Sequence, residues 1–238
     1  MLNRLIILLF GLYAVSSVDA AQIPCWKLIW ETGAVHGEDP ELVYANGLKV
    51  TGARQYPLET VLFDLDIDSN VMASVAEADG LLVGEGFSPL LEHVVANGGV
   101  RIRAVDLWYE EVSFPDTIDG LAMKAYIDRN RGYLVKGNAL ELPFADNSQD
   151  YLWSHLLVNN LDDDSQRATE EMVRVLRPNG EGRVFGFRYD FGLQVFIRKL
   201  RNQGHEVRDL RKTIVLHNVE GTIEIPLVLL IIRKGVAQ

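Results

Sequence analysis

Short apolar runs alternate with helical segments from Leu65 to the end of the chain, and this alternation constrains the fold more than any other feature. Seven strands are predicted, at 81–83, 100–108, 133–136, 150–157, 181–188, 206–216 and 222–233. Helices are predicted between them, at 71–78, 90–96, 118–130, 164–176 and 193–202. Strands that alternate with helices form parallel sheets with helices on both faces. The sequence therefore predicts an α/β fold with a doubly wound, mostly parallel seven-stranded sheet, which ends in a C-terminal antiparallel hairpin.

The first 21 residues have the layout of a secretory signal peptide. Arg4 precedes an apolar run at 5–15, and small residues lead to a cleavage site after Ala20 or Ala21. The run is shorter than the roughly 20 residues that span a bilayer. We therefore predict a cleaved leader at 1–21 and a secreted or otherwise exported protein, with an uncleaved membrane anchor as the alternative. Membrane contact is expected only through such a leader.

Between the leader and the regular part of the chain, residues 22–64 are predicted to form an irregular N-terminal extension. Glycines and prolines interrupt every long period there, and only one short helix is expected, near 41–45. The main domain is predicted at 65–238. Cys25 is the single cysteine, which excludes an internal disulfide framework and any multi-thiolate metal site.

Charge excludes a further class of protein. The chain carries 23 Lys and Arg against 33 Asp and Glu, a net charge of −10, and no basic cluster is evident along it. A general nucleic-acid partner is therefore not expected, because phosphates are bound by clustered cations. The acidic run 162–164 is predicted to be the solvated start of a helix rather than a metal site, since consecutive carboxylates point in different directions. No metal is predicted.

A glycine-rich turn follows the strand at 81–83. Gly84 and Gly86 flank Glu85 there, and glycine lets the backbone approach a ligand closely. Asp106 ends the next strand, 20 residues beyond Gly86, where a carboxylate can bind ribose hydroxyls. Pro89 stands where the dinucleotide fingerprint has its third glycine, which disfavours a nicotinamide or flavin cofactor. The alternatives are a tight turn for the glycines and a loop cap for Asp106.

Four segments occur in the order and spacing of the motifs of a known family: 81–88, 105–106, 137–150 and 171–181. The chain resembles the class I S-adenosylmethionine-dependent methyltransferases, specifically the type 11-like group. Its first motif is degraded, because Leu82 replaces a frequent acidic residue and Ser88 replaces the third glycine. The resemblance implies S-adenosylmethionine as cofactor. It also implies a set of cofactor-binding residues: Gly84, Glu85, Gly86, Asp106, Leu107, Asn138, Ala139 and Ser154.

His155 is the candidate catalytic residue on the acceptor side. It falls at the end of the strand at 150–157, near the predicted crevice, where imidazole could act as a base. A core or loop histidine is the alternative. The sequence thus supports an S-adenosylmethionine-dependent methyltransferase that acts on a small-molecule acceptor. The competing hypothesis is an exported, non-catalytic module that keeps the fold for binding or scaffolding.

Overall fold

The computed structural model describes residues 43–45, 48–50, 58–109, 118–218 and 221–236. The predicted leader and Cys25 lie outside these residues. In the described part of the chain, no helix combines the length and apolar character needed to cross a bilayer.

Nine strands and six α-helices make up the described chain. The strands are β1 Val43–Ala45, β2 Leu48–Val50, β3 Gly80–Val83, β4 Ile102–Asp106, β5 Leu134–Lys136, β6 Gln149–His155, β7 Leu176–Arg188, β8 Glu206–Asn218 and β9 Gly221–Arg233. The α-helices are α1 Leu58–Asp64, α2 Ser69–Ser74, α3 Leu90–Ala96, α4 Ile118–Asn130, α5 Ser165–Val175 and α6 Phe191–Asn202. Short 3₁₀ helices follow β4, at Leu107–Tyr109, and β6, at Val158–Asn160 and Asp162–Asp164.

The main sheet has the strand order β5-β4-β3-β6-β7-β9-β8. The first five strands in this order are parallel to one another, whereas β9 runs antiparallel to both β7 and β8. This confirms the predicted mostly parallel sheet with its C-terminal hairpin. The strands that follow β3 in the sequence are added on one side of the sheet, and those that follow β6 are added on the other side. Ligands of open α/β sheets bind at the carboxyl ends of strands at such a reversal, which here lies between β3 and β6.

Alternate residues of the central strands are buried in two hydrophobic cores, which lie on opposite faces of the sheet. Leu82 of β3 and Trp153 of β6 lie in the core on the side of α1, α2 and α3. Leu81 and Leu152, their neighbours in sequence, lie in the core on the side of α5 and α6. Side chains that succeed each other along a strand point to opposite faces. The same rule places His155 and its neighbour Ser154 on different sides of the sheet.

The range predicted to be irregular contains regular structure. Val43–Ala45 is a strand rather than the expected helix, and it pairs with Leu48–Val50. The two residues between these strands are Asn and Gly, the pair that most favours a tight hairpin connection. Helix α1 also falls in this range, and its Val61 is fully buried against the main core. The packed part of the chain therefore begins before residue 65.

Candidate active site

The turns that follow β3, β4, β5 and β6 lie at one edge of the sheet. The Gly84 N–H donates to the Val105 carbonyl oxygen at 2.9 Å, and the Gly137 N–H donates to the Asp106 carbonyl oxygen at 3.2 Å. Parallel strands bring their carboxyl ends to the same edge. The predicted site residues at 84–86, 106–107, 138–139 and 154–155 therefore lie at the carboxyl ends of adjacent strands.

The two glycines of the turn have different surroundings. Both have positive φ, 67° at Gly84 and 58° at Gly86, a conformation that side chains rarely adopt. A Cβ at Gly84 would lie 2.7 Å from the Leu157 side chain, whereas a Cβ at Gly86 would have no atom within 4 Å. Gly84 is thus needed for packing between the β3 and β6 turns. Gly86 faces open space, which leaves its backbone accessible to a ligand.

Asp106 is held against this turn. Its side chain is 8% exposed, and Oδ2 accepts a hydrogen bond from the Gly86 N–H at 2.9 Å. The Tyr109 hydroxyl donates to the carbonyl oxygen of the same glycine at 2.7 Å. Burial raises the pKa of Tyr109 well above its usual range, so the phenol keeps the proton that it donates. Both polar groups of the Gly86 backbone are therefore fixed from the end of β4.

The Glu85 side chain is directed to helix α3. Its Oε1 accepts a hydrogen bond from the Leu91 N–H at 3.2 Å, and Ser88 Oγ accepts one from the Leu90 N–H at 3.2 Å. These bonds satisfy amides that have no partner within the helix. Burial raises the pKa of the Glu85 carboxyl well above its usual range, and the nearby charge of Asp106 raises it further. Glu85, predicted to bind cofactor, thus has its carboxyl engaged in a helix cap.

The raised pKa of Glu85 makes the stability of the domain depend on pH. In the unfolded chain the carboxyl loses its proton near its ordinary pKa, whereas the folded chain retains the proton to higher pH, so stability falls as pH rises between the two values. Glu85→Gln cannot ionise but can still accept from Leu91. We expect its free energy of unfolding in urea to exceed that of the wild type by about 1 kcal/mol at pH 8 and to match it near pH 4.

Glu141→Gln is the matched control for that measurement, because Glu141 is exposed. Its difference from the wild type should stay the same at both pH values. A Glu85→Gln difference that is equally independent of pH would contradict the raised pKa of the Glu85 carboxyl.

Of the four remaining predicted cofactor contacts, Leu107, Asn138 and Ala139 follow β4 and β5, whereas Ser154 lies within β6. The Leu107 side chain is 45% exposed directly after Asp106, so it presents an apolar surface at the crevice edge. Asn138 Oδ1 accepts from the Leu140 N–H at 2.9 Å and so stabilises its own turn, and Ala139 packs partly buried beside it. Ser154 is 2% exposed, and its hydroxyl has no hydrogen-bond partner among the described residues.

His155 is buried and paired with a carboxylate that the sequence did not indicate. Its Nε2 lies 3.0 Å from Asp64 Oδ2, and the two side chains are only 9% and 4% exposed. The imidazole also stacks on Phe185, with ring centroids 5.5 Å apart. Asp64 ends helix α1, 91 residues earlier in the chain, and no motif links the two positions. The end of α1 therefore supplies a partner for the candidate catalytic residue.

Comparison with known proteins identifies the fold and the motifs together. Residues 81–183, which contain the glycine turn, Asp106 and His155, match the family model described as a methyltransferase domain. The match covers less than half of the chain and supports the resemblance to the class I methyltransferases. No curated protein matches the chain in sequence.

Solved structures of methyltransferases resemble this chain at low sequence identity. A Pyrococcus horikoshii protein, provisionally described as an RNA methyltransferase, aligns over 75% of this chain and 85% of its own, with a TM-score of 0.54 and 10% identity. An Aquifex aeolicus S-adenosylmethionine-dependent methyltransferase aligns over 75% and 94%, with a TM-score of 0.46 and 14% identity. A Galdieria sulphuraria protein, provisionally described as a sarcosine dimethylglycine methyltransferase, aligns over 65% of this chain and 64% of its own, with a TM-score of 0.46 and 20% identity. The chain thus covers slightly less than two thirds of the Galdieria protein, and the Pyrococcus structure shows the shared fold.

The described residues of the candidate site fit S-adenosylmethionine. A Cβ would fill the space beside Gly86, and only glycine leaves it open. Asp106 brings a carboxylate to the same turn, and carboxylates accept hydrogen bonds from ribose hydroxyls. The exposed Leu107 adds apolar area for a flat base.

Proposed function

We propose that the protein is an S-adenosylmethionine-dependent methyltransferase that acts on a small-molecule acceptor. The observation that carries the proposal is the open face of Gly86, whose backbone is fixed by Asp106 and Tyr109 at the reversal of the sheet. On this proposal Gly86, Asp106 and Leu107 hold the cofactor, and Asn138 and Ala139 line its base side. When bound, the cofactor supplies a methyl group that its sulfonium already activates. The protein then has to bind, orient and desolvate the two reactants.

The acceptor side is assigned to His155 and Asp64. A carboxylate 3.0 Å from an imidazole orients the ring and stabilises the charged form that arises when the ring takes a proton. His155 would therefore act as the base for an acceptor nucleophile that must lose a proton. Its burial supports a small acceptor, because a deep imidazole is reached more easily by a compact molecule than by a macromolecule. The net charge of −10 also disfavours a polyanionic acceptor.

Calorimetric titration of the protein with S-adenosylmethionine and S-adenosylhomocysteine tests the cofactor assignment. We expect binding in the micromolar range, and we expect Asp106→Ala to weaken it about 10- to 100-fold through the loss of charge-assisted hydrogen bonds. Asp128→Ala, which removes an exposed carboxylate from α4, is the control and should leave affinity unchanged. An absence of heat at millimolar ligand would contradict the proposal and favour the non-catalytic module.

The same preparation tests the acceptor class. With methyl-labelled cofactor and a cell extract divided into small-molecule, RNA and protein fractions, we expect label in the small-molecule fraction. His155→Asn should reduce that transfer about 100-fold or more while it leaves cofactor affinity intact. Label that enters only RNA or protein would refute the small-molecule acceptor. Unchanged transfer by His155→Asn would refute the role of His155 as base.

A further inference from the structure

Basic residues are concentrated in one part of this acidic chain. Residues 183–212 carry eight Lys and Arg against three Asp and Glu, a net charge of +5, which leaves −15 for the rest of the chain. This segment comprises the last six residues of β7, all of α6 and the first half of β8. The total charge therefore conceals a local basic region, and the expectation that the chain has no basic cluster is wrong for this segment.

Helix α6 presents a partly apolar face to the exterior. Its inner residues Leu193, Phe196, Ile197 and Leu200 are buried in the core beneath it. Phe191, Val195 and Arg198 follow the i, i+4, i+7 spacing of one helix face. Phe191 is 83% exposed and Val195 is 48% exposed, so two large apolar side chains project outward in succession. Nothing in the packing of the helix requires them there.

Tyr189 and Arg211 extend this face toward β8. The Tyr189 side chain is 45% exposed, and the Arg211 guanidinium lies 3.7 Å from the centroid of its ring. The five residues define what is here called the α6 ridge: Tyr189, Phe191, Val195, Arg198 and Arg211. It combines exposed aromatic and aliphatic groups with exposed cations.

The cations of the α6 ridge are not neutralised by neighbours. Lys199 pairs with Glu170, and Arg201 lies 3.5 Å from Asp209. Within the described residues neither Arg198 nor Arg211 has a carboxylate within ion-pair distance. Two exposed positive charges thus belong to the same ridge as the exposed Phe191.

We propose that the α6 ridge docks the protein on an anionic lipid bilayer. Cations beside anionic headgroups and aromatic or aliphatic side chains inserted below them are the two contributions that hold a peripheral helix at a membrane surface. A nucleic acid would use the cations and could stack a base on Phe191, but it would offer no apolar phase to Val195. Phe191 also lies three residues beyond the end of β7, at the same edge of the sheet as the candidate active site. Docking through the α6 ridge therefore holds that edge close to the bilayer.

This contact is separate from the predicted leader and from the proposed chemistry. The leader, where present, binds neutral and anionic bilayers alike through its apolar run, whereas the α6 ridge adds a preference for anionic lipid. The ratio of the affinity for anionic vesicles to the affinity for neutral vesicles therefore measures the contribution of the α6 ridge alone.

Flotation of the full chain with vesicles tests the proposal. We expect tighter binding to vesicles that contain phosphatidylserine in phosphatidylcholine than to phosphatidylcholine alone, and we expect added salt to reduce the difference. Arg198→Gln with Arg211→Gln should lower the affinity for anionic vesicles by about fivefold per arginine and leave binding to neutral vesicles unchanged. Phe191→Ser should weaken binding to the anionic vesicles several-fold at both low and high salt.

The control variant is Lys124→Gln with Arg131→Gln. It makes the same charge change on exposed residues of the helix and turn that connect β4 to β5, at the far end of the sheet. It should bind as the wild type does. Equal affinity for neutral and anionic vesicles, or equal losses in the ridge and control variants, would overturn the proposal. Vesicle binding that survives the ridge substitutions while RNA binding is lost would overturn it too, and would assign the cations to a polyanion.

Discussion

Gly86→Ala is expected to weaken S-adenosylmethionine binding at least tenfold while it lowers the free energy of unfolding by only about 1 kcal/mol. The stability cost is the strain of a side chain at φ 58°. No clash adds to it, because no atom lies within 4 Å of the new Cβ. The affinity cost is larger, because the methyl group occupies space that we assign to the cofactor. Calorimetry and urea unfolding of the same preparation measure the two effects separately.

Gly84→Ala is the matched variant, since it makes the same substitution two residues earlier in the same turn. Its Cβ would lie 2.7 Å from the Leu157 side chain, so overpacking adds to the strain at φ 67°. We expect a loss of about 3 kcal/mol in the free energy of unfolding. If Gly86→Ala instead proved the more destabilising variant and bound cofactor normally, the open space beside Gly86 would not be the cofactor site.

This difference between the two glycines could not be predicted from the sequence. The motif around 84–88 locates the turn, since a glycine pair after a buried strand is a local signal. Whether a given glycine faces a ligand or another turn depends on Leu157, which is distant along the chain. The pattern therefore predicts where the site lies but not what each residue contributes to it.

The regular elements were predictable for the same local reason. Helix α4 spans 118–130 and helix α3 spans 90–96, both as predicted, because prolines, glycines and capping residues mark their ends. Asp68 caps α2, with its side chain accepting hydrogen bonds from the N–H groups of Asn70 and Val71. Such signals depend on a few neighbouring residues, so they can be recognised without knowledge of the tertiary contacts.

The residues that support the candidate site are brought to it by contacts between segments that lie far apart in the sequence. Tyr109 reaches a backbone carbonyl 23 residues away, and Asp64 reaches an imidazole 91 residues away. Helix α1 has seven residues, too few to show a helical period, and it was placed in the irregular range. Its position depends on side chains that lie far along the chain.

Arg183 is the residue that we expect to fix α1 most strongly. It lies on β7 and is 6% exposed, and its guanidinium donates to the carbonyl oxygens of Leu65 and Asp66, just beyond the end of α1. Its Nε also donates to Glu181 at 2.8 Å. Arg183→Met removes these donors, and it leaves the Leu65 carbonyl oxygen buried without this partner, so we expect a loss of about 3 kcal/mol in the free energy of unfolding in urea.

Hydrogen exchange locates the effect of this substitution. Amides of α1 should lose protection in Arg183→Met more than those of β3 and β6, because the helix is tied to the sheet through this guanidinium. Arg188→Met is the control on the same strand: Arg188 is exposed, and its removal should change stability by less than about 0.5 kcal/mol. Uniform loss of protection, or equal effects of the two substitutions, would contradict this role for Arg183. Since α1 carries Asp64, its release should also remove the carboxylate that pairs with His155.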